Sequence, residues 1–101
     1  MTETEFGERA DAVFARIETA LDATDVDYGV EQGVLEIEFD DGSQIIVSRH
    51  TPNREIWVAA KAGGFHYGWK DGAWLDTRGG GELFATLAQL VSAQAGEGVV
   101  L

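Results

Sequence analysis

The chain has 101 residues, 45% of them hydrophobic and 10% aromatic, with 18 acidic against 7 basic side chains and a net charge of −11. A chain of this size buries one core unaided, its composition is too apolar for disorder, and the lack of cysteine excludes disulfides, thiolate nucleophiles, thiolate-bound zinc and a thiolate-ligated iron–sulfur cluster. The charge is segregated: residues 1–41 carry 13 acids and only Arg9 and Arg16, while the rest balances at five of each sign, so the field is directional and repels nucleic acid and anionic membrane.

Thr2 with Glu5 three residues on forms a capping box, and Phe6, Ala10, Val13, Phe14, Ile17 and Leu21 follow at helical spacing. Glu8, Asp11, Glu18 and Asp22 fall in a stripe beside that apolar arc. After Asp25 the period becomes two. Strands are expected at 27–31, 34–39 and 43–50, joined by Gly-containing turns, and after Pro52 at 55–61, 65–70 and 73–77, the last two linked by Asp71-Gly72. Gly79-Gly80-Gly81 reads as a hinge, Leu83, Phe84, Leu87, Leu90 and Val91 mark a second helix to about Gln94, and the tail Val99-Val100-Leu101 is expected to pack. The whole chain, residues 1–101, reads as one domain.

Two helices, each with one apolar face, must share one face of the sheet. The expected fold class is therefore α+β, a two-layer sandwich with two helices on one face of a single antiparallel sheet of about six strands, in the order α-β-β-β-β-β-β-α. In that arrangement Leu35, Ile37 and Phe39 point inward, leaving Glu36 and Glu38 on the open face. The N-terminus has neither the basic start of a secretory signal nor the Arg-rich character of a transit peptide, and no apolar run reaches spanning length. A soluble, cytoplasmic and by default monomeric protein without membrane attachment is expected.

Chemistry is sought first in the acidic stripe, which continues into Asp25, Asp27 and Glu31 and is expected to gather carboxylate oxygens within a few ångströms of one another. Hard oxygen ligands suit iron, manganese, calcium or magnesium. The stripe has almost no Lys or Arg at the i+4 positions that would neutralise a solvated helix face. It is not a closed site: no His joins it, so any binding is surface-exposed and weak. Trp57 shares parity with Glu55 and Ala59, opposite Ile56 and Val58, so it points to the open sheet face as an interaction anchor. His50 and His66 stand on different strands and read as ordinary sheet histidines rather than ligands. Gly79-Gly80-Gly81 lacks the Lys-Ser/Thr ending of a phosphate loop, and none of the serines sits in a nucleophile elbow. No catalytic residue is assigned.

The run Gly42-Ser43-Gln44-Ile45-Ile46-Val47-Ser48-Arg49-His50-Thr51-Pro52, followed by Ile56-Trp57-Val58-Ala59, Gly63-Gly64-Phe65-His66-Tyr67 and Gln94-Ala95-Gly96, resembles the frataxin family in its bacterial CyaY type over essentially the full length. The family usually has Gln where His50 and Glu55 stand, Asn where Ser48 stands, and a Ser/Thr-Gly where this chain has Gly79-Gly80-Gly81. The resemblance implies a helix–sheet–helix sandwich and weak, surface-exposed binding of iron, as Fe2+ or Fe3+, on an acidic ridge. Carried over position by position, that ridge falls on Glu3, Glu8, Asp11, Glu18, Asp22, Asp25 and Asp27. It further implies docking to a cysteine desulfurase and the iron–sulfur scaffold assembly, with Glu18, Asp22 and Trp57 as partner-binding residues, and a regulatory rather than enzymatic role as iron donor or iron sensor. Two other readings are an acidic docking module with incidental metal binding and a ferroxidase-like iron oxidant; the latter would call for a Glu-x-x-His dinuclear motif that the chain lacks.

Overall fold

Thr2 opens the first helix as its sequence requires. In the computed structural model, which describes residues 1–101, the Thr2 hydroxyl accepts the Glu5 amide at 3.1 Å and the Glu5 carboxylate accepts the Thr2 amide at 3.0 Å. These bonds satisfy amides that would otherwise lack partners at the helix start, and they hold the Glu5 carboxyl below its ordinary range. Helix α1 then runs Glu3–Asp22, burying Phe6, Ala10, Val13, Phe14, Ile17 and Leu21. This is the apolar arc its spacing predicts.

Six strands follow in chain order: β1 Asp27–Glu31, β2 Val34–Glu38, β3 Gln44–His50, β4 Glu55–Ala60, β5 Gly63–Lys70 and β6 Ala73–Asp76. Each pairs antiparallel with its sequence neighbour, in the spatial order β1-β2-β3-β4-β5-β6. The tightest reversals are two-residue turns. Gln32-Gly33 (φ 51° and 77°) and Asp71-Gly72 (φ 52° and 82°) have positive φ at both positions, the mirror-image turn whose twist matches that of the flanking strands. Between β3 and β4, a single 3-10 turn at Thr51–Asn53 carries Pro52, which keeps its missing N–H out of the strand ladder.

Helix α2, Leu83–Ala95, buries Leu83, Leu87 and Val91. It packs with α1 on one face of the sheet, against Leu35 and Ile37 of β2, Ile45 and Val47 of β3, Ile56 and Val58 of β4, Tyr67 of β5 and Trp74 of β6. Phe39 ends up just beyond β2 but remains buried, its amide bonded to Ser43 O at 3.0 Å. The α+β two-layer sandwich with a six-stranded antiparallel sheet is thus present. At the far end of the sheet, Asp41 accepts Lys61 Nζ at 2.9 Å, while Gln94 donates to Ser43 Oγ at 3.0 Å and accepts the Lys61 amide at 3.2 Å. These contacts tie two strand turns to the end of α2. The Lys61 bond, with the Ser43 hydroxyl and amide, holds the Asp41 carboxyl well below the usual carboxylate range.

Two expectations change. Gly79-Gly80-Gly81 is not an open hinge: the Asp76 amide donates to Gly81 O at 2.8 Å and the Gly79 amide to Asp76 O at 3.0 Å, folding the segment around Asp76. In the tail, Val99 is buried and Leu101 packs on the core, whereas Val100 is 88% exposed.

The face assignment has a direct test. Ile37→Ala should cost about 2–5 kcal/mol of unfolding free energy, as truncation of a fully buried aliphatic does, and Glu36→Ala should stay within about 0.5 kcal/mol. Chemical denaturation of both variants checks this, and the reverse order would mean a register shifted by one residue.

Candidate functional site

The core arc divides the rest of α1 into two flanks. At about 100° per residue, Glu18, Asp11 and Asp22 lie on the flank facing β1 and β3, with Glu8 beside them but turned to solvent, and Arg9 and Arg16 lie on the flank facing the β5–β6 hairpin and α2. Contacts confirm the division: Asp11 pairs with Arg49 of β3 and Asp22 with Tyr28 of β1, while Arg9 lies over Trp69 and Arg16 over Phe84.

The acidic flank is anchored at two points. Arg49 Nη1 donates to Asp11 Oδ1 at 2.8 Å, with the guanidinium 4.6 Å from the centre of the Phe14 ring. The i+4 positions of the stripe hold no Lys or Arg, and the one counter-ion comes from a strand instead. Arg49 shares parity with Ile45 and Val47, which face the helices, so strand alternation carries its side chain to the helix side. Asp11 is 73% exposed, so the pair is worth about 1 kcal/mol at most and leaves the rest of the stripe uncompensated. At the other anchor, Tyr28 Oη donates to Asp22 Oδ1 at 2.5 Å.

The expected ridge residues do not form one cluster. Asp11, Glu18 and Asp22 share the flank with Glu8 beside them, spread along the axis at about 1.5 Å per residue, so Glu8 and Asp22 stand about 21 Å apart along the axis. Glu3, in the first turn, lies about 60° around the helix from Glu18, toward the core arc. Asp25 follows the helix and, with Glu38, Asp40 and Glu97, lines a recess of about 50 Å³. Asp27 pairs with Glu38 in register. Because Tyr28 turns to the helix side, alternation puts Asp27 on the open face. There it joins Glu31, Glu36 and Glu38, so negative charge wraps around the edge strand β1. Nowhere do three or more aspartate, glutamate or histidine side chains converge on one point. The expectation of carboxylate oxygens gathered within a few ångströms fails because the rise of a helix spaces its side chains out.

Trp57 does sit on the open face, half-buried, with Ile56 and Val58 buried behind it. In register it stands between Ser48 of β3 and His66 of β5. It is sandwiched: the His50 ring stacks at 4.0 Å with a 6° interplanar angle, and the His66 ring at 4.2 Å and 8°. Its indole N–H donates to Glu55 Oε1 at 2.8 Å, and His66 Nδ1 lies 4.0 Å from the same oxygen. The histidines are thus packing partners of Trp57 on opposite sides of its ring, which prevents them from sharing an ion. Each stacked aromatic pair is worth about 0.5–1.5 kcal/mol beyond burial, so the indole is presented rigidly.

A family model described as a frataxin-like domain matches residues 1–97. The iron-sulfur cluster assembly protein CyaY of Dechloromonas aromatica (strain RCB) is 52% identical over 104 aligned positions, covering 100% of this chain and 99% of that protein. Among solved structures, frataxin from Psychromonas ingrahamii is 31% identical with a TM-score of 0.92, over 99% of this chain and 97% of its own. A trimeric frataxin from the yeast Saccharomyces cerevisiae, complexed with ferrous iron, shares the fold at a TM-score of 0.73 and 21% identity, over 96% of this chain and 88% of its own.

The Asp22–Tyr28 bond supplies a probe of the acidic flank. Accepting that hydrogen bond, Asp22 pushes the Tyr28 phenol up to about 12, helped by partial burial and by the negative charges of Asp22 and Glu18. The neutral phenol is the favoured form, so the bond's contribution to stability is complete below the unfolded value of about 10 and is lost as pH rises from there toward the folded value. Following the Tyr28 ring resonance with pH should show this elevation, and Asp22→Ala should bring the midpoint back toward about 10.

Proposed function

The chain belongs to the frataxin-like family, and from that membership we propose that it serves iron–sulfur cluster assembly as a non-enzymatic, iron-binding regulator that docks on a cysteine desulfurase through the acidic flank of α1. The observation that carries this reading is the uncompensated line of Glu8, Asp11, Glu18 and Asp22, in which Asp11 alone has a cationic partner. Iron is the cargo here. Its fit rests on the donor set: carboxylates at i,i+3 (Glu8, Asp11) and i,i+4 (Glu18, Asp22) are neighbours on a helix surface, and hard oxygens suit ferrous and ferric ions. Arg49 and Tyr28 already engage one oxygen each of Asp11 and Asp22. The ion therefore keeps most of its water and binds weakly, as suits a donor or sensor that must release it.

Docking draws on the same charge. A field concentrated on one edge of the sandwich steers a basic partner surface toward α1 and β1, and exposed charges are screened beyond about 8 Å at physiological ionic strength, so affinity falls steeply with salt. Trp57, held flat between His50 and His66, faces a neighbouring scaffold component of the same assembly as a rigid aromatic anchor.

One observation favours a second reading, in which docking is the primary role and metal binding incidental: the carboxylates do not converge. Two measurements separate the readings. Replacing Glu18, Asp22 and Asp25 together with their amides should weaken ferrous binding measured anaerobically by about 10-fold or more, leaving only the Glu8 and Asp11 pair, while raising the melting temperature, since like-charge repulsion is relieved. Glu18→Lys with Asp22→Lys should weaken desulfurase binding at low salt by about 10-fold or more. Loss of iron binding without loss of docking would support an iron role separate from docking, and unchanged docking on charge reversal would refute the docking assignment.

A further inference from the structure

The other flank of α1 carries the only two basic side chains of the first 41 residues, Arg9 and Arg16. They are seven residues apart, which places them about 10.5 Å apart along one side of the helix. Between α1, the β5–β6 hairpin and the start of α2 lies a groove of about 430 Å³ in which these arginines meet Trp69, Trp74 and Phe84. That volume falls within the roughly 300–1,000 Å³ of small-molecule sites. The Arg9 guanidinium sits 4.3 Å from the centre of a Trp69 ring and the Arg16 guanidinium 3.7 Å from that of Phe84. Trp69 and Trp74 meet edge to face, with centroids 5.4 Å apart.

In a chain with 18 acids, neither arginine pairs with an acidic side chain. The nearest helical carboxylate to Arg9, Glu5 at i−4, is engaged by the Thr2 amide at 3.0 Å. Arg16 has Ala12 and Ala20 at i−4 and i+4. Glu82, the one acid lining the groove, accepts the Phe84 and Ala85 amides at 2.8 and 3.1 Å as the cap of α2, so its oxygens are committed to the helix. Arg16 Nη2 donates to Leu101 O at 2.9 Å, whereas Arg9 Nε is buried and unpartnered. A guanidinium held over a ring can present its remaining N–H groups to a carboxylate or phosphate.

We propose that this groove is a binding site for a small planar aromatic anion, its ring against the Trp69 side of the groove and its carboxylate or phosphate on Arg9 and Arg16. The chain's own charge of −11 sets the size of the ligand: repulsion grows with ligand charge, so a small anion of low charge enters where an acidic peptide or a polyanion is repelled. The site lies on the flank away from the acidic stripe and does not depend on the function proposed for that stripe.

The test is a titration of the full chain with naphthoate, with its neutral naphthyl alcohol as comparator, followed by the indole N–H resonances of Trp69 and Trp74 and the backbone of Arg9 and Phe84. Saturable shifts confined to these residues, with the alcohol bound about 10-fold more weakly, support the site. Arg9→Gln and Arg16→Gln should each weaken naphthoate by about 5-fold or more, and Arg9→Lys, which keeps the charge but loses the planar stack, should fall between. The proposal is overturned if the alcohol binds as well as the acid, if the largest shifts fall elsewhere, or if variants that keep the parent melting temperature bind naphthoate unchanged.

Discussion

Burial of one apolar arc of α1 against one face of the sheet is the constraint from which the functional surfaces follow. Once Phe6, Ala10, Val13, Phe14, Ile17 and Leu21 are committed to the core, the helix has no rotational freedom left. Side chains just outside the arc on one side must then meet β1 and β3, and those on the other side must meet the β5–β6 hairpin and α2. Fully burying an aliphatic or aromatic side chain is worth about 1.5–3 kcal/mol, against about 1 kcal/mol at most for an exposed ion pair. Packing therefore decides the orientation of the helix, and charge is distributed on whatever faces remain. The acidic stripe and the arginine pair are two consequences of one packing decision.

That ordering explains how a chain so acidic stays folded. Repulsion along α1 is tolerated because it acts on exposed groups in high dielectric, and because Arg49 and Tyr28 hold two of the carboxylates in place. The same negative charge guards the sheet. β1 is an edge strand whose open-face positions include Asp27 and Glu31, and charged edges discourage pairing with another chain. The opposite edge, β6, is protected differently, by the bridge between Leu75 and Glu82 where the chain turns into α2.

Much of this was readable in the sequence, and what was not has identifiable causes. The helix arc, the turn glycines and the inward set Leu35, Ile37 and Phe39 are local patterns of period 3.6 or 2, and they hold. Trp57 on the open face follows from the same parity. The stack of His50, Trp57 and His66 depends on cross-strand register over three strands, which local pattern does not specify. Arg49 as counter-ion is not legible in the helix pattern, because its partner Asp11 lies 38 positions away in sequence and the pair forms only across the α1–β3 packing. Asp27 was grouped with the helix stripe by proximity in sequence, yet the alternation that turns Tyr28 toward Asp22 sends Asp27 to the other face. The absence of convergent carboxylates follows from helix rise, a matter of simple geometry rather than of hidden contacts.

Where a multivalent cation meets the chain decides whether the acidic flank of α1 is the functional surface. Paramagnetic broadening by ferrous iron under anaerobic conditions, read residue by residue in solution, measures this directly. Broadening should be strongest at Glu18 and Asp22, extend along α1 to Asp11 and Glu8, and fade toward Trp57. A maximum at Glu36 and Glu38 on the open sheet face, or uniform broadening with no centre on α1, would contradict the assignment of the acidic flank as the functional surface.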